Sequence, residues 1–422
     1  MASGDKKRVE RLIEQYKEEY FQHLCQLINF ESTFGQEFEA QMYLKKIVED
    51  LQMEIDIFEP DLDELKEHSA YLSARQTFNG SPNLVGIWKG TGGGRSLLLN
   101  GHIDVVPAGD LKQWSQPPFI SVNNGHSISG RGATDMKGGT ISLLFALKVV
   151  QEMKVKLKGD VLFQSVVDEE CGGAGTLAAI LRGYQADAAV IPEPTKLKVF
   201  PLQQGSMWFR IKVIGRAAHG GTRYEGVSAI DKAFAVIEQL KKLETLRNER
   251  INHPLYQNIP IPIPINVGKI NGGDWPSSVP DEVTIEGRYG VSFDETMEEA
   301  KEEFEHMLSS AMFMDSWFKD HPVSIEWFGA RWMPGSITLE DPFLEQFKRS
   351  IKKVSGKSAR LEAAPWGTDA GLLSQIGGIP TVVYGPGITE LAHHPDEAIE
   401  LEAIIEASKV FIDLILTWCE VE

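Results

Sequence analysis

Cysteine, basic charge and long apolar runs are all scarce in this sequence, and each scarcity excludes a class of protein. The 422 residues contain 3 cysteines, which lie far apart and form no Cys-x-x-Cys pair. Neither a disulfide framework nor a thiolate zinc site is therefore expected. Basic residues number 42 against 60 acidic ones, and the formal charge of −18 disfavours binding to nucleic acid or anionic membranes. No run approaches about 18 uninterrupted apolar residues, the length of a transmembrane helix.

The N-terminal stretch MASGDKKRVERL also lacks the continuous apolar segment of a signal peptide. Together with the scarce cysteine, this predicts a cytoplasmic protein with no membrane partner. The chain is 42% hydrophobic and 24% charged, as is typical of globular proteins. Its 422 residues exceed the size of one simple core, so we expect two domains.

Most of the chain alternates between strand and helix patterns. Apolar positions at helical spacing over residues 6–30 and 35–53 predict two amphipathic helices. The stretches NLVGIWKG and SLLLNGHIDVV predict buried strands joined by a hairpin-like turn at TGGG. The polar segment 60–80 is predicted to lie on the surface. The alternation indicates an α/β fold with a mostly parallel sheet.

A different pattern occupies residues 206–330. Its strands and helices follow the order β-α-β-β-α-β, which is typical of a ferredoxin-like α+β domain. We therefore predict a discontinuous catalytic domain, residues 1–205 and 331–422, interrupted by this smaller inserted domain.

Residues that can bind a metal follow several strands of the predicted α/β core at the point where each strand ends. In an open α/β sheet, ligands gather at the carboxyl ends of the strands. Each residue taken alone also has a structural explanation, such as a solvated loop, but their joint placement favours a site. The residues are His102, Asp104, Asp135, Asp168, Glu169, Glu170, Glu193, His393 and His394.

The chemistry of this set is that of a metal centre. Two imidazoles with several carboxylates suit Zn²⁺, or Co²⁺ or Mn²⁺ in its place. A site for Mg²⁺ or Ca²⁺ made only of oxygen ligands would not recruit histidine. A charge count favours two ions, because a single ion would leave excess negative charge in a poorly solvated cleft.

The motifs that carry these residues resemble those of a known family. NGHIDVV, GRGATDMKGG, DEECGGAG, IPEPT, AAHGG and AHHPDEAIE are similar, in this order, to the motifs of the acetylornithine deacetylase, succinyl-diaminopimelate desuccinylase, aminoacylase and glutamate carboxypeptidase family. The resemblance covers nearly the whole chain, and the long polar segment after FEP is most similar to the acetylornithine deacetylase-like branch. It implies a dinuclear zinc amidohydrolase that forms a homodimer through the inserted domain, which would also act as a lid.

The resemblance also implies a set of metal ligands. His102, Asp135 and Glu193 would hold one Zn²⁺, and Asp135, Glu170 and His393 would hold the second. Asp135 would bridge the two ions. His393 rather than His394 matches the family pattern A-H-x-P-D/E.

Further roles follow from the same resemblance. Glu169 would be the general base. Asp104 would accept a hydrogen bond from His102 and fix its tautomer. His219 would supply a hydrogen-bond donor to the oxyanion, in that family often from the partner subunit. Residues that match positions near the substrate are Asn266, Arg288 and Thr368.

The implied reaction is hydrolysis of the amide bond of a small N-acylated amino acid or amine, and N-acetylornithine is the first candidate substrate. Alternatives within the class are a succinyl-diaminopimelate desuccinylase, an N-formyl or N-acyl aminopyrimidine deacylase, and a metal-dependent dipeptidase or carboxypeptidase. An alternative of another class is a catalytically inactive ligand-binding homologue, against which the complete ligand set and Glu169 argue. The shape of the pocket decides among substrates.

Overall fold

Helices and short strands follow one another along the chain much as the sequence pattern predicts. The computed structural model describes residues 3–312 and 315–422. Within these residues, no helix combines the length and the apolar character that crossing a lipid bilayer requires. The helices are α1 (Ser3–Ile28), α2 (Phe38–Asp50), α3 (Leu62–Glu67), α4 (Gly138–Glu152), α5 (Ala174–Leu181), α6 (Ala229–Arg250), α7 (Met297–Met312), α8 (Ser316–Asp320), α9 (Pro342–Ser355), α10 (Ala370–Gln375) and α11 (Leu401–Trp418).

The strands belong to two principal sheets and two small ones, counted over the described residues. They are β1 (Glu54–Phe58), β2 (Asn83–Trp88), β3 (Leu97–His102), β4 (Val122–Asn123), β5 (Ser127–Ser129), β6 (Val161–Val166), β7 (Ala189–Ile191), β8 (Val199–Gln203), β9 (Gly205–Ile214), β10 (Ala218–His219), β11 (Ile265–Gly272), β12 (Ser278–Val279), β13 (Glu282–Val291), β14 (Ser324–Trp332), β15 (Gly335–Ser336), β16 (Leu361–Ala364), β17 (Thr381–Val383) and β18 (Ala398–Glu400).

The larger sheet has the order β1-β2-β6-β3-β7-β17-β8-β15, with β16 paired to β8. Its central strands β6, β3, β7 and β17 are parallel to one another. Strands β1, β2 and β8 pair with their neighbours on this path in antiparallel fashion. The prediction of an α/β fold with a mainly parallel central sheet is confirmed. The carboxyl ends of the central strands consequently meet at one edge.

Strand β3 shows how this sheet is buried on both faces. Leu97 and Leu99 join the apolar core that α1, α4 and α11 cover, whereas Leu98 packs on the opposite face with Leu373 of α10. Side chains alternate along a strand, so a strand covered on both faces reads as a continuous apolar run. His102 ends this strand at 1% exposure. Its imidazole is therefore held by a fully packed element.

The connection from β2 to β3 differs from the prediction. Strand β6 lies between them, so the hairpin-like turn is wrong. The glycine-rich loop instead crosses the start of β6, where the Gly92 N–H donates to the Lys158 carbonyl at 2.8 Å. A Cβ atom on Gly159 would lie 1.8 Å from the Arg95 carbonyl oxygen. Only glycine permits this close approach of two backbones.

The second principal sheet lies within residues 205–332 and has the antiparallel order β11-β13-β9-β14. Its elements follow the expected order β9-α6-β11-β13-α7-β14. Its core is separate from that of the larger sheet and includes Phe209, Leu240, Ile285 and Phe304. The division of the chain into domains at 206 and 330 stays a prediction, as does the lid or dimerisation role.

The segment 60–80, predicted to lie on the surface, is only partly exposed. Phe78 is buried and Arg75 is 2% exposed. The Arg75 guanidinium donates to both carboxylate oxygens of Glu37, at 2.8 and 3.2 Å. It also lies over the rings of Phe34 and Phe78. The polar composition of this segment did not indicate burial, because an arginine that is paired with a carboxylate and packed against aromatic rings can be buried.

Candidate active site

The edge where the parallel strands end brings together two imidazoles and three carboxylates. His102 Nε2 lies 3.3 Å from Asp135 Oδ1 and 3.6 Å from Glu193 Oε1. His393 Nε2 lies 3.3 Å from Asp135 Oδ2 and 3.1 Å from Glu170 Oε2. Asp135 thus presents one carboxylate oxygen to each imidazole. The five residues implied as metal ligands converge in one place, and their individual roles stay predictions.

The carboxylates of this cluster favour the binding of positive charge. Burial raises the pKa values of Glu169 and Glu193 well above their usual range. Burial would lower the pKa of His102, but the surrounding carboxylates outweigh it and raise that pKa well above its ordinary value. Desolvation would likewise lower the pKa of His393, but Glu170 and Asp135 outweigh it and raise that pKa to about 11. The site therefore binds positive charge, either as protons or as a metal ion.

The donor atoms fit a metal ion. Those of His102, Asp135 and Glu170 lie within 4.8 Å of one another, as do those of His102, Glu169 and Glu193. His102 Nε2 is buried and has no hydrogen-bond partner among the described residues. An imidazole nitrogen left without a partner among buried carboxylates fits a divalent cation such as Zn²⁺.

The adjacent pair Glu169 and Glu170 diverges, as a short helical turn over Glu169–Cys171 allows. Glu170 reaches His393, whereas Glu169 Oε2 lies 3.9 Å from His102 Nε2. Glu169 is 6% exposed, so its carboxylate is desolvated yet borders the cleft. Both glutamates line the cleft, and Glu169 is the one beside His102.

Asp104 contacts the site differently from the expectation. His102 Nδ1 lies 2.8 Å from the backbone carbonyl oxygen of Asp104, whereas the Asp104 carboxylate is 3.7 Å away. A carbonyl oxygen can only accept, so Nδ1 carries a proton and Nε2 is the ring nitrogen that faces the carboxylates. The Asp104 carboxylate instead accepts from the backbone N–H groups of Glu169 and Glu170, at 3.3 and 3.0 Å. Burial raises its pKa to about 7.

Sequence reasoning missed Glu397, which holds the loop of Asp135. Its buried carboxylate accepts hydrogen bonds from Arg131 Nη1 at 2.8 Å and from the backbone N–H groups of Gly132, Thr134 and Asp135 at 2.8–3.0 Å. A signal was present in the sequence, because this carboxylate stands in the same AHHPDEAIE motif as the second imidazole.

A cleft of about 600 Å³ opens above the cluster. Its walls include Phe34, Trp208, Trp332 and Trp366, together with Arg288 of β13. The Trp208 and Trp332 rings lie 6.3 Å apart between centroids. The cleft therefore combines flat aromatic walls with a carboxylate-rich base, a combination that suits a small organic ligand.

The residues predicted near the substrate are not all brought to this cleft. Arg288 lines it, and burial lowers its pKa to about 10. In residues 3–312 and 315–422, its guanidinium has neither an ion pair nor a hydrogen bond. Asn266 pairs with Arg288 across β11 and β13 but is exposed and does not line the cleft.

Two other predicted residues are engaged elsewhere. Thr368 lines the cleft, but its hydroxyl donates to Gln203 Oε1 at 2.7 Å, so it shapes the wall. His219 is exposed and lies outside the lining of the cleft. Its Nδ1 accepts the Gly221 N–H at 3.0 Å. Within one chain, the structure does not bring His219 to the cluster.

Comparisons with known proteins agree with these motifs. A sequence profile for the peptidase family M20/M25/M40 matches residues 98–417. An N-formyl-4-amino-5-aminomethyl-2-methylpyrimidine deformylase of Halalkalibacterium halodurans is 30% identical over 410 residues, which is 90% of this chain and 89% of the relative. An acetylornithine deacetylase of Yersinia pseudotuberculosis is 29% identical over 341 residues, 77% of this chain and 79% of the relative.

The crystal structure of a tripeptidase from Staphylococcus aureus has the same fold. Its TM-score is 0.72 at 22% sequence identity, over 96% of this chain and 98% of that chain. The sequence match spans the elements that carry all the clustered residues, from His102 to His393.

Proposed function

The chain belongs to the peptidase M20/M25/M40 family and is a hydrolase, and we propose that it removes a small acyl group, foremost a formyl group, from the nitrogen of a small heteroaromatic amine. The observation that carries this proposal is the set of aromatic walls, Trp208, Trp332 and Trp366, above the carboxylate cluster. Flat indole faces suit stacking with a heteroaromatic ring. The 30% identity to an aminopyrimidine deformylase over 90% of the chain supports the same substrate type.

We propose that the cluster binds two Zn²⁺ ions, for which Co²⁺ or Mn²⁺ could substitute. His102, Asp135 and Glu193 would hold one ion, and Asp135, Glu170 and His393 the other. Divalent cations held there would polarise the amide carbonyl and lower the pKa of the attacking water. The short distances from Asp135 to both imidazoles support its role as the shared ligand.

Glu169 is proposed as the general base. It takes the proton of the attacking water and passes it to the leaving nitrogen as the amide bond breaks. Its position beside His102 and the cleft supports this role. Glu169→Gln should keep the bound metal and abolish turnover, whereas the matched variant Glu170→Gln should lose metal. Loss of metal from Glu169→Gln would mean that Glu169 is a ligand.

Arg288 supports a second candidate, an N-acylated amino acid such as N-acetylornithine. An arginine without an ion pair in a ligand cleft suits a substrate carboxylate, because its planar fork donates to both oxygens. The aminopyrimidine relative's substrate carries no carboxylate by its name. The two candidates therefore differ in whether turnover needs Arg288.

The deciding experiment measures kcat/KM on a panel with metal-loaded enzyme. The panel contains an N-formyl aminomethylpyrimidine, N-acetylornithine, N-succinyl-diaminopimelate and a dipeptide. We expect the formylated pyrimidine to be the preferred substrate and Arg288→Met to leave its kcat/KM within about threefold. A preference for N-acetylornithine that falls 30-fold or more in Arg288→Met, the loss of about 2 kcal/mol from a charged contact, would favour the second candidate. No turnover of any compound would contradict both.

We also propose that the chain forms a homodimer through residues 206–330, with His219 reaching the partner's cleft as an oxyanion donor. Strand β11 is an edge strand, and Tyr224, Phe234 and Trp275 are exposed on the same part of the chain. Phe234→Glu should shift the sedimentation of the dimer toward that of a monomer. His219→Ala should keep the metal and the dimer but lower kcat. An unchanged kcat would exclude His219 from catalysis.

A further inference from the structure

A tryptophan contacts the proposed base directly. Trp332 Nε1 lies 3.0 Å from the backbone carbonyl oxygen of Glu169 and 3.2 Å from Glu169 Oε1. The other carboxylate oxygen, Oε2, is the one that lies 3.9 Å from His102 Nε2. The single indole N–H is therefore shared between the backbone carbonyl oxygen and Oε1 of Glu169, and Oε2 is left facing the imidazole of His102.

Trp332 also stands where the chain passes between the two principal sheets. It is the last residue of β14 and pairs with Ser206 at the start of β9. A Cβ atom on Gly205 would lie 2.6 Å from both the Trp332 carbonyl oxygen and the Pro334 nitrogen. Two connections join the sheets, one from β8 to β9 and one from β14 to β15. Their backbones are thus in contact, and Trp332 belongs to the second connection.

The neighbouring Arg331 connects the end of β14 to the segment that follows α3. Its guanidinium donates to the carbonyl oxygens of Ser69 and Ala70. Gly172, one residue after the turn that carries Glu169, has φ +119°, and a Cβ there would lie 3.3 Å from the Arg331 carbonyl oxygen. The backbone of Arg331 and the residue that follows the turn of Glu169 therefore lie close together, with little room for a side chain between them.

We propose that Trp332 is a positioning residue for Glu169, and that through this hydrogen bond the placement of the β9–β14 sheet sets the direction of the base. The inference rests on the proposed role of Glu169. A general base must lie within hydrogen-bond reach of the proton that it removes. A carboxylate free to rotate spends less time in that direction, and a displacement of about 1 Å can cost about 100-fold in rate.

The first test compares two Trp→Phe substitutions. Trp332→Phe keeps an aromatic wall but removes the N–H, and kcat should fall by about 10- to 100-fold, with bound metal and melting temperature unchanged and KM altered by less than kcat. Trp317→Phe is the matched control, because its indole also donates to a backbone carbonyl oxygen, that of Ile214 at 2.8 Å, outside the cleft. Its kcat should equal that of the wild type. An unchanged kcat in Trp332→Phe, or the same fall in both variants, would overturn the proposal.

The second test is a double-mutant cycle with Glu169→Asp, whose shorter side chain withdraws the carboxylate from the indole N–H while the backbone carbonyl of residue 169 stays in place. If Trp332 acts through Glu169, the double variant should be no slower than Glu169→Asp alone. Fold-losses that simply multiply would mean that Trp332 acts independently, and would overturn the proposal.

The third test needs no turnover, so it separates this inference from the proposed function. In protein labelled with ¹⁵N-tryptophan, the indole signal that Trp332→Phe removes should shift when Glu169→Gln replaces a charged acceptor with a neutral one. The Trp317 signal should stay in place. A Trp332 signal that does not move would overturn the contact itself. If the wild type hydrolyses no substrate while the signal shifts, the proposed function fails and the contact stands.

Discussion

Replacing Glu397 with glutamine tests how the loop that carries Asp135 is held. The Glu397 carboxylate is 0% exposed, pairs with Arg131 and accepts from three backbone N–H groups, including that of Asp135. Glutamine has nearly the same shape, but it removes the negative charge opposite Arg131. It also turns an NH₂ group toward donors that need an acceptor.

The expected cost follows from these contacts. Removing one partner of a buried ion pair costs about 3–5 kcal/mol. A buried donor left without an acceptor costs about 1–3 kcal/mol. Since both costs arise at one carboxylate and overlap, we expect the free energy of unfolding to fall by about 4 kcal/mol, a large part of the usual total of about 5–15 kcal/mol. The displaced loop should also weaken the metal binding proposed for Asp135.

The assay is urea unfolding followed by circular dichroism, together with bound metal per chain. Glu420→Gln is the matched control, because Glu420 pairs with Lys158 at 3.3 Å and both side chains are exposed. It should cost less than about 1 kcal/mol. A fall below about 1 kcal/mol for Glu397→Gln, with metal content unchanged, would mean that Glu397 does not hold the loop of Asp135.

Three further predictions concern groups outside the cluster of imidazoles and carboxylates. Arg75→Met leaves Glu37 without its cation and should lower the free energy of unfolding by about 3–5 kcal/mol. Adding Glu37→Gln should recover part of this loss. If the losses of the two single variants simply add in the double variant, the pairing is contradicted. Gly159→Ala places a methyl group 1.8 Å from a carbonyl oxygen and should melt far below Gly268→Ala, whose nearest neighbour is 3.5 Å away; equal melting temperatures would contradict the close approach. Burial lowers the pKa of His23 below 6.5, so its stabilising contribution is present above pH 6.5 and lost below it. His23→Gln should flatten the fall in melting temperature between about pH 7 and 5, and an unaltered slope would count against it.

The sequence predicted the convergence of the cluster because that depends on a general property of parallel sheets. His102 ends β3, and Glu193 comes two residues after β7. Once the alternation of strands and helices indicated a parallel sheet, the ends of these strands had to meet at one edge. The prediction of a metal site rested on the residue types, two imidazoles among several carboxylates.

The details that sequence reasoning missed depend on contacts between distant segments. Nothing in the local pattern of β2 and β3 tells that β6 inserts between them, because apolar strands pair equally well in either arrangement. The acceptor for His102 Nδ1 is a backbone carbonyl, which every residue carries, so the identity of Asp104 could not reveal which of its oxygens is used. Glu397 and Trp332 reach the site through donors and acceptors more than 160 residues away.

Metal-dependent turnover tests whether the cluster is a catalytic metal centre. Stripped enzyme should be titrated with Zn²⁺ while bound metal per chain and release of amine from the formylated pyrimidine and N-acetylornithine are measured together. We expect no turnover without metal and a rate that rises with occupancy to a maximum at two ions per chain. Turnover that persists in the stripped enzyme, or two bound ions with no hydrolysis of any panel compound, would contradict this expectation.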